Sequence, residues 1–254
     1  MRLAELVSHL DHMLDVEGVP DYPNALNGLQ VENSGAVERV AVAVDASLAS
    51  IDAAAAAGCS LLVVHHGMFW DGNRPVIGRR HARLRSLFDH DIALYSAHLP
   101  LDGHAEMGNN ALLSRAIGVD PRGHFGSFQG FPIGTWGDLD ISREALCARL
   151  DELLGVRVRM IPGGPERIRR VGVVTGSAAD LTGEAIAVGL DAFITGEGAH
   201  HTFFDAMEGP AGGGINVYHA GHYATETFGV RALGAHLESE FGLPWHFIDQ
   251  PTGL

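Results

Sequence analysis

Residues Val40 to His66 read VAVAVDASLASIDAAAAAGCSLLVVHH. Two uninterrupted apolar runs, Val40 to Val44 and Leu61 to Val64, flank an alanine-rich stretch from Leu48 to Ala57 with the composition of a helix. Strands buried on both faces read as continuous apolar runs, and parallel sheets are covered on both faces by their crossover helices. The stretch is therefore a βαβ unit. Ile92 to Ser96 adds a further strand, so the first half of the chain reads as α/β.

Working outward, the second half repeats the scheme: a strand at Val171 to Val174, a helix near Leu181 to Val188 and a strand at Asp191 to Thr195. Setting Arg39 on Arg170 places Val40 on Val171, Gly58 on Gly189 and His65-His66-Gly67 on Gly196-Glu197-Gly198 without a gap. Spacing kept over such a length points to an internal duplication. The expected architecture is two similar βαβ-containing lobes, 1–125 and 126–254, forming one compact unit with a metal site in the cleft between them. Gly123 to Gly137 reads as a turn-dense crossover strand pair, and Glu208 to Gly214 (EGPAGGG) as a surface loop.

Composition removes several functions. All 17 basic residues are arginine, against 31 acidic ones, for a net charge of −14. Without lysine there is no Schiff base and no Walker-type phosphate lysine. Such an acidic surface also argues against a nucleic-acid groove, which must neutralise phosphates. Arg79, Arg80, Arg83 and Arg85 read as a solvated helix face. Cys59 and Cys147 form no CxxC pair, hence no disulfide framework or thiolate zinc site. The amphipathic start MRLAELVSHLDHMLD is no signal peptide, and a cytoplasmic location is expected.

The 15 histidines are the unusual feature. His65-His66 follow an apolar strand, and ligands in parallel α/β sheets collect at the carboxyl ends of strands. The strand ALYS runs into His98-Leu99-Pro100-Leu101-Asp102, where Asp102 offers two oxygens and His98 is a ligand or a supporting donor. His222 and Glu226 in AGHYATE are four apart, the spacing of one helix face. The five residues His65, His66, Asp102, His222 and Glu226 supply more donors than one tetrahedral zinc requires, which favours two divalent ions. The set suits Zn, Fe, Mn or Mg without choosing among them. His200 and His201, after GEG, are candidate catalytic residues with His98. Trp70, Phe69 and Tyr95 read as core or rim packing. His9, His12, His81, His90, His124, His236 and His246 show no partner pattern.

The motifs NGLQVE (Asn27 to Glu32), VVHHGMFW (Val63 to Trp70), SAHLPLD (Ser96 to Asp102) with GNN soon after, GEGAHH and AGHYATE resemble, in order and over essentially the whole chain, the Nif-three-like dinuclear metal centre family, GTP cyclohydrolase type 2-like. The resemblance implies metal ligands at His65, His66, Asp102, His222 and Glu226. It also implies a two-lobed α/β fold and a toroidal homohexamer whose sites face an internal cavity, without the inserted domain of longer members. The expected function is a metal-dependent hydrolase in which a bridging hydroxide attacks carbon or phosphorus of a small molecule, with a nucleotide among the candidates. The alternative is a non-catalytic, metal-handling ring protein. Neither GxGxxG nor a cysteine redox pair supports an oxidoreductase.

Overall fold

The computed structural model describes residues 1–209 and 213–254. Residues 210–212, the middle of the loop expected at Glu208 to Gly214, lie outside them. Contacts divide the chain into two units, residues 1–101 with 229–250, and residues 102–228 with 251–254.

The first unit contains α1 (Leu3–Met13), β1 (Gly28–Val31), β2 (Val40–Asp45), α2 (Leu48–Ala56), β3 (Leu61–His66), α3 (Gly78–Asp89), β4 (Ala93–Ser96) and the start of α4 (Leu99–Asp102). Most of α10 (Thr227–Phe241) and β11 (Trp245–Phe247) return to it. Its sheet has the order β1-β4-β3-β2-β11, all parallel except β1. Every residue of β2 but Asp45 is buried, and every residue of β3 but His66, as their apolar runs require. Ala41, Ala43, Leu62, Val64 and Leu94 pack with Ile51 and Ala54 of α2 and Leu87 of α3. Ser47 caps α2 by accepting from Ser50 N–H at 3.0 Å. The four arginines lie on α3, but only Arg79, on Asp71 (2.9 Å), and Arg85, on Asp89 (3.1 Å), are on its solvated face; Arg80 packs over the Phe69 ring and Arg83 is half-buried, because the helix turns them toward the protein.

The second unit comprises α5 (Asn109–Ala116), β5 (Gly123–Phe128), β6 (Phe131–Ser142), α6 (Arg143–Leu154), β7 (Arg159–Pro162), β8 (Arg167–Val173), α7 (Thr182–Ala187), β9 (Ala192–Thr195), α8 (Thr202–Met207), β10 (Asn216–His219) and α9 (His222–Thr225). The order is β5-β6-β8-β9-β10-β7. β8, β9 and β10 run parallel, while β5, β6 and β7 add antiparallel pairings. The glycine-rich stretch is the β5–β6 hairpin, turned at Gln129 (φ +49°) and Gly130 (φ +86°). Positive φ at both central residues is the type I′ geometry that matches strand twist. The sheet is covered on its two faces, by Leu113, Ile117, Leu146 and Leu150 with one set of residues and by Ala185, Leu190 and Ala206 with the other.

Contacts set the division at Asp102 and Phe228, whereas the sequence suggested residue 125. The reason lies in hydrogen bonding: β6 pairs with β8, which takes the hairpin into the second sheet, and β11 pairs with β2, which returns the C-terminal segment to the first. In the two βαβ units, Val40 pairs with Leu61 and Val171 with Ala192, so both registers fall at the spacing read from sequence (171 − 40 = 192 − 61 = 131). No described helix is long and apolar enough to cross a membrane.

Candidate metal site

His65 and His66 are the last two residues of β3 rather than the turn after it. β3 lies between β2 and β4, so His66 finds a partner on β2 and His65 one just past the end of β4, while the two rings stay together with centroids 4.7 Å apart. His65, fully buried, has Nδ1 2.9 Å from the carbonyl of Ala97. His66 has Nδ1 3.0 Å from the Asp45 carboxylate, its register partner on β2. His98 directly precedes α4, and its Nδ1 lies 2.9 Å from Asp21. Asp21 also accepts from Asn27 Nδ2 (2.8 Å) and Leu99 N–H (3.0 Å), and Asn27 Oδ1 accepts from His98 N–H (2.7 Å). Burial alone would raise the Asp21 pKa; the His98 imidazole and these donors outweigh it and hold the carboxyl below the usual range. His65, His66 and His98 present ligand atoms within 4.8 Å of one another and can hold a metal ion.

Pro100 lies inside α4, in its first turn, where a helix needs no N–H donor. The next donor, Asp102, is 7% exposed in the second unit. Its Oδ1 accepts from Asn109 Nδ2 at 2.8 Å and from Thr175 Oγ1 at 3.3 Å. Buried Asn110 ties Thr175 down through its N–H (2.7 Å) and hydroxyl (3.0 Å).

His222 and Glu226 follow β10 across Gly221. His222 opens α9 and Glu226 caps it, so the i, i+4 pair spans one helical turn before α10 begins anew at Thr227. The His222 Nε2 to Glu226 Oε1 distance is 3.1 Å, and Nδ1 lies 2.9 Å from Glu197. Glu226 is only 2% exposed, so the pair is not one of the solvated i, i+4 pairs common on helix surfaces. Burial opposes charge on His222, yet the bonds and charges of Glu226 and Glu197 prevail and push it up to about 9. Gly176 (φ +67°) has to be glycine here: a Cβ would stand 2.2 Å from Glu226 Oε1. Thr175 and Gly176 thus touch Asp102 on one side and Glu226 on the other.

One rule recurs. The partners of the four Nδ1 atoms, a carbonyl and three carboxylates, are acceptors only, so each Nδ1 carries the proton. An imidazole fixed in this way can offer Nε2 to a cation, as metal-ligating histidines do when an outer acceptor sets their tautomer; His222, raised to about 9, carries a second proton on Nε2 against Glu226, which a cation would displace. Sequence reasoning gave no role to these outer groups: Asp21, Asp45 and Thr175 were not singled out, Asn109 was quoted only within GNN, and Glu197 only within GEGAHH and the alignment of the two halves. Of the other candidates, His200 and His201 are exposed, and His201 pairs with Asp180 at 3.1 Å. Tyr95 is core, its hydroxyl donating to Asp11 at 2.8 Å, while Trp70 sets its ring edge-on to His98 with centroids 4.9 Å apart.

Fold and donors together define a two-unit α/β protein with histidine and carboxylate sets suited to metal. The chain belongs to the Duf34/NIF3 (NGG1p interacting factor 3) family, whose model matches residues 1–253. It is 44% identical over 252 residues to a Deinococcus radiodurans protein named GTP cyclohydrolase 1 type 2 homolog, covering 98% of this chain and 94% of that one. A Halobacterium salinarum protein of the same name is 46% identical over 243 residues, with 93% and 94% covered. Among solved structures, the structural-genomics protein ybgI, of unknown function, superposes with a TM-score of 0.92 at 37% identity over the whole of both chains. A Thermus thermophilus protein, TTHA1606, gives 0.88 at 41%, again over both whole chains.

Proposed function

We propose that His65, His66, Asp102, His222 and Glu226 together hold two divalent metal ions and that the protein is a metal-dependent hydrolase of a small phosphorylated molecule. The supporting observation is that His65, His66, His98 and His222 each set Nδ1 against an acceptor, and that the first three bring ligand atoms within 4.8 Å of one another. The donors are imidazole nitrogens and carboxylate oxygens, which fits Zn, Fe, Mn or Mg rather than Cu(I). Two such ions supply Lewis acidity and a water acidified enough to attack at neutral pH. Asn109 and Thr175 both donate to Oδ1 of Asp102, which orients its carboxylate for a ligand role. His98, fixed by Asp21, is the residue placed to move a proton beside the first-unit donors.

The names of the relatives make GTP or a related nucleotide the first substrate to try. The matching registers of the two βαβ units support an origin by duplication of the lobes. The resemblance supports a ring of six chains, and two free cysteines suit the reducing cytoplasmic compartment expected from the sequence. The test is metal analysis of protein purified without supplement, followed by titration and turnover of GTP and a phosphoester panel. Two ions per chain, with turnover abolished by Glu226→Gln, are expected. Saturation at one ion overturns the dinuclear reading, and full loading without turnover of any substrate overturns the enzyme reading in favour of metal handling. Light scattering near the 27.0 kDa of one chain overturns the ring.

A further inference from the structure

His9 and His236, which show no pattern along the sequence, meet in the first unit. α1 brings one and α10 the other, with their Nε2 atoms 2.8 Å apart. The ring planes lie within 10° of parallel and the centroids are 5.1 Å apart. That separation is about the nitrogen-to-nitrogen distance plus one ring radius at each end. The rings are therefore edge to edge, an N–H of one donating to the lone pair of the other, rather than stacked face to face. Phe241 packs on the His9 ring at 4.8 Å and 89°, which holds its plane.

Two imidazole nitrogens aimed at one point are also how histidines grip a transition metal. With metal–nitrogen bonds of about 2.0–2.1 Å, two nitrogens on one tetrahedral ion stand roughly 3.3–3.4 Å apart, so the pair has to open by only about half an ångström. In the metal-bound form both Nε2 lone pairs face the ion, so the ring that donates from Nε2 moves its single proton to Nδ1 by exchange with water, and the other keeps its proton on Nδ1. Further donors lie on the same helix faces: His12 three residues after His9 on α1, and Glu240 four after His236 on α10. Both are exposed, and both lie near enough to shift the His9 imidazole, His12 disfavouring its charge and Glu240 favouring it.

We propose that His9, His236, His12 and Glu240 form a second, surface metal site, taking a first-row divalent ion of the zinc, nickel or copper(II) kind between α1 and α10. Three imidazoles and one carboxylate match the preference of those ions. The site lies wholly within the first unit and stands whether or not the five residues above hold two ions.

The experiment is a Cu2+ titration of the full chain, loaded with the metal it carries on purification, read by electron paramagnetic resonance. The wild type should bind one equivalent beyond that content, with nitrogen splitting in the spectrum. His9→Gln and His236→Gln should each lose that equivalent, while His12→Gln and Glu240→Gln should weaken it without abolishing it. A His65→Gln/His222→Gln variant should retain it. Melting without metal checks that the substituted helices stay folded, and the exposed His12 and Glu240 variants keep the test open should His9→Gln fold poorly. Unchanged copper binding in the His9 and His236 variants, or its loss in the His65/His222 variant, overturns the site.

Discussion

Asp21 carries the heaviest structural demand among the groups around the histidines, and Asp21→Ala is the sharpest single perturbation. Its side chain is 5% exposed. It accepts from His98 Nδ1, Asn27 Nδ2 and Leu99 N–H at 2.9, 2.8 and 3.0 Å. Truncation leaves three donors in a protein interior without their acceptor, and an unmet buried donor costs about 1–3 kcal/mol. Some relief from entering water keeps the sum near that for breaking a buried ionic pair, about 3–5 kcal/mol. Asp21→Asn keeps one carbonyl oxygen and removes the charge, for about 1–2 kcal/mol. The assay is urea unfolding of metal-free protein with both transitions followed by two probes, because two units need not unfold together. The pH dependence has a definite sign. The Asp21 carboxyl titrates lower in the folded chain than in the unfolded one, so its contribution is present above the unfolded value, about 3.9, and is lost as pH falls through the folded value. The gap between wild type and Asp21→Asn should therefore be widest near neutrality and close in acid. A gap that stays constant down to pH 3, or an Asp21→Ala loss within about 0.5 kcal/mol of zero, the scale of an ordinary surface substitution, would refute the reasoning.

Three further outcomes are expected. Glu226→Gln keeps the size of a side chain that is 2% exposed and exchanges its anionic oxygen for an amide, so metal stoichiometry should fall while far-ultraviolet circular dichroism stays as in the wild type; unchanged stoichiometry removes Glu226 from the site. Asn109→Ala withdraws the 2.8 Å bond to Asp102 and should lower metal affinity by about 10–100-fold, the usual cost of losing a group that orients a ligand, whereas equal affinity in a competition titration would show that Asp102 needs no such support. Gly176→Ala places a methyl 2.2 Å from Glu226 Oε1 at a φ of +67°, so the carboxylate must move; retained metal binding with wild-type stability would show that Gly176 is not needed there.

The fold was legible where burial dictates composition. Val40 to Val44 and Leu61 to Val64 are apolar throughout because β2 and β3 are covered on both faces, and that pattern also gave the parallel register. It was not legible where an element's place depends on a distant partner. Nothing in Trp245 to Phe247 announces that it will pair with β2, and nothing in the β5–β6 hairpin announces pairing to β8, so the boundary near residue 125 was drawn through a sheet that the chain builds as one.

The candidate ligands stood out for a related reason. Histidines at strand ends and an i, i+4 His–Glu pair are local patterns, and a local pattern can be read without knowing the fold. The groups that fix the tautomers of those histidines are not local: Asp21 lies 77 residues from His98, Glu197 lies 25 from His222 and Asp45 lies 21 from His66. Each is an ordinary acidic residue until strand order sets it beside an imidazole. For His66 the link is direct, since Asp45 and His66 are register partners on adjacent parallel strands, and the βαβ reading would have sufficed to pair them. For His98 it is not, because Asp21 sits in a stretch without regular structure whose place is set by tertiary contacts, its own and those of neighbours such as Ala25, which accepts from Gln30. The same acidic side chains therefore set the imidazole tautomers and hold the loops in place, so metal affinity and stability should fall together when they are removed. A ligand substitution such as Glu226→Gln should instead affect metal content first, and that contrast separates the residues that would hold a metal from those that hold the residues.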